Sequence, residues 1–182
     1  MRRKLISMLL LLEIVAWGCA GKSGSMLTAP TPPGGVTPLV ITASFAADKG
    51  RHGDPIKIYL AAEQKSGAMK MIAIQVSQVG YGAYPSDWIY LKDGNRERFV
   101  GYLQWNTASG EYLPDGTRVS IEISALDQWG NESNKVVIPY EFVSGSSSSS
   151  VLPAPFDQPD VPRLGYISIK LRNGIKSEGR RN

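Results

Sequence analysis

The stretch from Tyr112 to Phe142, YLPDGTRVSIEISALDQWGNESNKVVIPYEF, most limits what this chain can become. Val119, Ile121, Ile123 and Ala125 alternate with Ser120, Glu122, Ser124 and Leu126. Successive side chains leave a strand on opposite sides, so a period of two marks a strand with one buried face. Leu113-Pro114-Asp115-Gly116 is a turn cluster, and Asp127-Gln128-Trp129-Gly130-Asn131 is polar, glycine-bearing loop chemistry. Lys135 to Ile138 then resumes a β-rich run. The stretch predicts two strands and the turn between them.

The same signals recur upstream. Leu39 to Phe45 reads as a first strand, followed by a glycine-rich turn from Asp48 to Pro55. Ile56 to Ala61 reads as a second strand, and Glu63 to Ala68 as another turn. In Met69 to Val79 the apolar face is Ile72, Ile74 and Val76 with Gln78, which assigns the core side of a third strand. Gly80 to Asp87 reads as a loop and Trp88 to Leu91 as a short strand. Asp93-Gly94 before the next strand, Arg98 to Trp105, is a hairpin signal. No stretch carries a helical period. Seven short strands at this spacing predict two antiparallel sheets packed face to face.

Leu113-Pro114-Asp115-Gly116-Thr117, the alternating strand after it, and Ala125, Asp127, Gly130, Asn131 and Ser133 carry a family resemblance. They resemble the immunoglobulin-like and fibronectin type III-like domains of bacterial surface proteins. Arg118 departs from the pattern, because such domains often carry tyrosine there. The resemblance implies an all-β chain built on a single seven-stranded antiparallel immunoglobulin-like β-sandwich, with flexible segments at both ends.

At 182 residues the chain holds one such domain plus flanking segments. Cys19 is the single cysteine, so no intrachain disulfide can form. His52 is the single histidine, so a metal site of the His/Cys kind lacks ligands, and neither a metal nor a cofactor is expected. The formal charge of +4 is concentrated at the two ends. Six basic residues and one acidic residue lie from Arg163 onward. A nucleic-acid footprint needs a basic patch on the fold itself, so no nucleic-acid partner is expected.

The N-terminus reads as an address. Met1-Arg2-Arg3-Lys4 is a positive region, Leu5 to Ala16 a short apolar run, and Gly18-Cys19 follows. The run is shorter than the roughly 20 residues of a membrane span. Ala16-Trp17-Gly18-Cys19 resembles the bacterial lipobox, which implies that Cys19 becomes the first mature residue and carries acyl chains such as palmitate. Ala20 follows Cys19, so the aspartate linked to inner-membrane retention is absent. The resemblance implies a cell-envelope location, at the outer membrane if the organism has one. The expected organisation is a signal peptide over residues 1–18, a Pro/Gly/Ser-rich tether over 19–38, the sandwich over 39–143, a Ser/Pro-rich linker over 144–163, and a basic tail over 164–182 with one strand.

Several side chains are candidates for function. Asp127, Asn131 and Glu132 are oxygen donors of the kind Ca²⁺ prefers, but a turn-holding role for Asp127 is the stronger reading. His52, between Arg51 and Gly53, reads as an exposed loop residue rather than a general base. Tyr81, Tyr84 and Trp88 form the better lead, as an aromatic surface for a sugar or a protein partner. Strand counting puts the Tyr81–Tyr84 loop at the same end as residues 106–116, and Trp129 at the other. Beyond the serine linker, Ile167, Ile169 and Leu171 alternate with Tyr166, Ser168 and Lys170. This orphan strand is expected to pair with a sheet edge of its own domain or of another protein, or to stay disordered. The expected function is a non-enzymatic binding or scaffolding module, held at the membrane through lipidated Cys19 and contacting an envelope protein or polysaccharide. The alternative is a carbohydrate-binding accessory module that uses the aromatic loop.

Overall fold

The computed structural model describes residues 38–66, 68–145 and 151–173. Cys19, the expected signal peptide and tether up to residue 37, and the basic residues Lys176, Arg180 and Arg181 lie outside the described residues.

The described chain is all-β. Its strands are β1 (Val40–Ala46), β2 (Lys49–Gly50), β3 (Pro55–Glu63), β4 (Met69–Gln78), β5 (Gly82–Ala83), β6 (Asp87–Tyr90), β7 (Arg98–Asn106), β8 (Thr117–Asp127), β9 (Val136–Phe142) and β10 (Arg163–Ile167). One sheet runs β1-β3-β7-β10. The other runs β2-β9-β8-β4-β5, with β6 also paired to β4. The apolar faces of the two sheets share one core, in which Ile58, Leu60, Leu103 and Trp105 of the first sheet join Ile72, Ile74, Val76, Ile121 and Ile123 of the second. Parity dictates most of this. On β8 Val119, Ile121, Ile123 and Ala125 are buried, and on β4 Ile72, Ile74, Val76 and Gln78, as the alternation predicts; Ser124 and, before a register shift, Met69 are buried off that parity.

Two expectations are corrected. The sandwich is not seven-stranded and wholly antiparallel: β2 pairs with β9 in parallel, and β10 pairs with β7 in parallel. A parallel pair needs a long crossover, and β8 and β9 both lie between β7 and β10 in the chain. Asp93-Gly94 does not turn a hairpin either. It lies in a short 3₁₀ turn, Asp93–Asn95, after which the chain changes sheet: β6 pairs with β4, and β7 pairs with β3. A turn dipeptide reverses the chain without choosing the sheet that the next strand joins.

The segment after the serine run belongs to the domain. Residues 151–162 cross the outer face of the first sheet, where Phe156 is buried against Tyr59, their rings 5.6 Å apart. Leu152 and Val161 pack beside it. β10 then lies along β7, and the chain continues over the opening between the sheets, with Ile167, Ile169 and Leu171 in the main core. The Trp105 indole N–H donates to the Ile169 carbonyl at 2.8 Å. Two glycines permit the close approach. A Cβ on Gly101 would sit 2.8 Å from the Pro162 carbonyl oxygen, and one on Gly165 would sit 2.6 Å from Ile89 Cγ2. The orphan strand therefore pairs with a sheet edge of its own domain, that of β7.

Candidate functional site

The loop from Val79 to Asp87 and the segment from Ser168 to Arg172 meet along one side of the sandwich. They enclose an open groove of about 460 Å³, lined by Tyr81, Tyr84, Ser86, Asp87, Lys170 and Arg172 among others. Its volume is in the range of small-ligand clefts, roughly 300–1,000 Å³. β4 ends at Gln78, opposite Val119 at the start of β8, and the Val79 N–H donates to the Arg118 carbonyl. The loop thus lies beside residues 114–118, at the end strand counting assigns it. Gln128 donates to the Ala68 carbonyl at the far end, which carries Trp129 away.

Tyr81 and Tyr84 form the aromatic part of the groove. Their rings stack with centroids 4.8 Å apart and planes 17° apart. Tyr84 is 6% exposed and Tyr81 43%, so Tyr84 serves as a fixed backing and Tyr81 faces outward. The Tyr84 hydroxyl donates to Gln78 Oε1 at 2.6 Å and accepts the Arg172 N–H at 2.9 Å. Gln78 Nε2 in turn donates to the Arg172 carbonyl at 2.8 Å. Burial raises the Tyr84 phenol above its ordinary value, against the smaller opposing pull of the Arg172 N–H. Tyr84 therefore stays a neutral donor that locks the C-terminal segment to the loop. Gln75 Nε2 donates to the Tyr84 carbonyl, and Gln75 Oε1 accepts from Ser86.

The groove's charge is uneven. Asp87 Oδ1 accepts the Trp88 N–H and Oδ2 the Ser168 N–H, so both carboxylate oxygens are engaged by backbone. Lys170 and Arg172 are exposed. The ion pairs among the described residues are Lys49–Glu141, Arg96–Asp93, and Lys135 with Glu122 and Glu132. Neither groove cation is matched by a carboxylate in these pairs. The arrangement can stack a flat ring on Tyr81 and pair with negative charge beside it.

Trp88 is not part of the groove wall. It is 46% exposed on the outer face of β6, opposite Ala73 of β4, two residues before the exposed Tyr90. Trp105, on β7, is a fully buried core residue.

The remaining candidates hold structure. Asp127 is buried, with Oδ1 accepting the Trp129 and Asn131 N–H groups and Oδ2 accepting from Asn131 Nδ2 and Gln64 Nε2. Desolvation by burial raises its carboxyl, but the donors from Asn131, Gln64 and Trp129 prevail and hold it below the ordinary value. In this loop only Gly130 takes a positive φ, 88°, where a side chain would strain the backbone. Glu132 reaches Lys135 instead of the Asp127 cluster. His52 is half-buried rather than exposed: its ring meets the edge of Tyr112 at 5.5 Å and tilts against Phe142 at 6.2 Å. The cavity beside it holds about 100 Å³. Strand counting treated residues 49–50 as part of a turn and so missed the short pairing with β9, which packs His52 inward.

The site belongs to an all-β two-sheet domain, and comparison with known proteins adds only distant likenesses. No family model matches the chain, and no curated protein matches it. One similar solved structure is a Paenibacillus cycloisomaltooligosaccharide glucanotransferase complexed with cycloisomaltoheptaose, at 9% identity and a TM-score of 0.45. That likeness covers 60% of this chain and 15% of the glucanotransferase. Another is the CARDB domain of a Pyrococcus furiosus protein in complex with di-metal ions, at 13% identity and a TM-score of 0.34, covering 59% of this chain and 94% of that one. Likenesses this distant carry nothing about ligand or activity.

Proposed function

We propose that this chain is a lipid-anchored cell-envelope module that binds or scaffolds another envelope component and performs no chemistry of its own. The observation that carries the reading is the groove, where an outward-facing Tyr81 and two cations without carboxylate partners stand together on a rigid frame. The domain reads as immunoglobulin-like, of the fibronectin type III-like kind. The pairing β1-β3-β7 against β6-β4-β8-β9 supports that reading, with β10 as an addition at the β7 edge. The lipobox-like Ala16-Trp17-Gly18-Cys19 supports the anchor, and the Pro/Gly/Ser-rich tether after it suits a domain held off a bilayer. The same reading places the chain at the outer membrane of a two-membrane cell.

The test is crosslinking in living cells, with a photoreactive phenylalanine analogue at position 81 or, as control, at exposed Val137 on β9. A discrete adduct from position 81 and none from position 137 is expected. Equal yields from both, or none from either, would overturn the groove as the binding surface. Mass spectrometry of the mature chain from the same cells reads the anchor: Cys19 should be the first residue and acylated, and an unmodified Cys19 would end that part of the proposal.

A second reading, a carbohydrate-binding accessory module, is favoured by the Tyr81–Tyr84 stack. A ring fixed from behind loses little freedom when a sugar packs on its front.

A further inference from the structure

We propose that the groove's ligand is an acidic sugar, its ring stacked on Tyr81 and its carboxylate or phosphate group facing Lys170 and Arg172. The inference rests on the groove being a binding site and assigns the chemistry of what it takes.

The outer face of Tyr81 is the only part of the stacked pair open to a ligand, because Tyr84 covers the other face and is itself buried. One small exposed platform suits a single ring better than a broad protein surface. The C-terminal segment adds charge in a fixed pattern. Ile167, Ile169 and Leu171 are buried, so Ser168, Lys170 and Arg172 alternate outward, and all three line the groove. Their backbone is held in place: Arg172 is clamped through its N–H by Tyr84 and through its carbonyl by Gln78, and Ser168 through its N–H by Asp87. The cations are thus held near Tyr81 instead of being carried on a loose tail. Asp87 is the one carboxylate lining the groove, its oxygens held by backbone N–H groups, and its single charge offsets one of the two cations. Glu111, from the loop before β8, accepts the Asn173 N–H beside Arg172 and lies close enough for its charge to act on Tyr84, though it forms no ion pair with either cation. An anion placed between two cations without carboxylate partners gains charge-assisted hydrogen bonds, Arg172 offering a fork that fits carboxylate or phosphate. A neutral sugar would use the ring and leave those charges unanswered.

The test is affinity electrophoresis of the full chain in detergent, through gels containing polygalacturonate, dextran or polyglutamate. These supply an acidic sugar, a neutral sugar and an anionic chain without sugar rings. Retardation by polygalacturonate alone is expected, weakening as salt rises. Tyr81→Ala and the double variant Lys170→Gln/Arg172→Gln should each weaken it at least about tenfold, with circular dichroism matching the parent chain. Retardation by dextran that depends on Tyr81 and not on the cations would overturn the acidic-sugar assignment while sparing the groove. Equal retardation by polyglutamate would overturn ring stacking and reduce the effect to charge. No retardation in any gel would overturn the assignment altogether, and the crosslinking result would then decide separately whether the groove binds a protein.

Discussion

Asp127 shows how one side chain fixes a loop. Its two oxygens take four donors between residues 64 and 131. Replacing it with alanine leaves buried N–H groups without partners, a change that costs about 1–3 kcal/mol for each unsatisfied group. Its carboxyl is depressed in the folded state, so its stabilising contribution is present above the unfolded value near 4 and is lost as pH falls through the folded value. The parent chain should therefore lose stability between about pH 5 and pH 2 more steeply than Asp127→Asn, while being the more stable of the two near pH 7. Urea denaturation across that range measures it, and parallel curves for the two proteins would refute the role given to Asp127. The Asp-x-x-Gly-Asn spacing made the turn legible beforehand. It did not reveal Gln64, because nothing local marks a donor 63 positions away.

At the scale of elements, the buried faces of β4 and β8 could be read from parity, since a strand must turn alternate residues inward. Pairing across long chain separations could not. Ile167, Ile169 and Leu171 showed the right alternation, but alternation names a face and not a partner. Two tight glycines make room for β10, Gly101 where it lies along β7 and Gly165 where it passes Ile89 of β6, and glycine in a strand is an ambiguous sign by itself. Phe156 was hidden for a different reason: a proline-rich stretch reads as extended linker, and one aromatic residue in it leaves no periodic trace. The energetic consequence is large. Burying one leucine or isoleucine side chain contributes about 1.5–3 kcal/mol, so removing three is comparable with a typical net stability of about 5–15 kcal/mol. A chain ending at Pro162 should melt more than about 10 °C below the full chain, or fail to fold. A thermal melt by circular dichroism decides it, and a midpoint within about 3 °C of the parent would show that residues 163–173 are ornamental.

For the whole molecule, the chain does not simply leave the domain after β9. It returns across the outer face of one sheet, lies along that sheet's edge, and passes over the opening between the two. The same return builds the groove, because Lys170 and Arg172 reach Tyr81 only when the C-terminal segment is docked. The sequence marked the Tyr81–Trp88 loop and the strand after Arg163 separately as surfaces of interest. Their meeting was not legible, since they are joined through packing and through the Tyr84–Arg172 and Gln78–Arg172 hydrogen bonds, with no sequence proximity. Trp88, grouped with the loop by its position, is carried to another face by the β6 register. In the proposed function the anchor and the groove divide the work, one fixing the chain in the envelope and the other engaging a component there.

That account depends on the C-terminal segment being a permanent part of the domain. Hydrogen exchange of the full chain, read by mass spectrometry, tests it most directly. The Ser168 and Arg172 amides donate to Asp87 and Tyr84, and β10 is bonded to β7. Peptides spanning residues 163–173 are predicted to exchange much more slowly than an unstructured chain, although β10, at the edge of its sheet, exchanges faster than the central strands β3 and β7. Exchange of that segment at the rate of an unstructured chain, while β3 and β7 stay protected, would contradict both the fold described here and the groove built upon it.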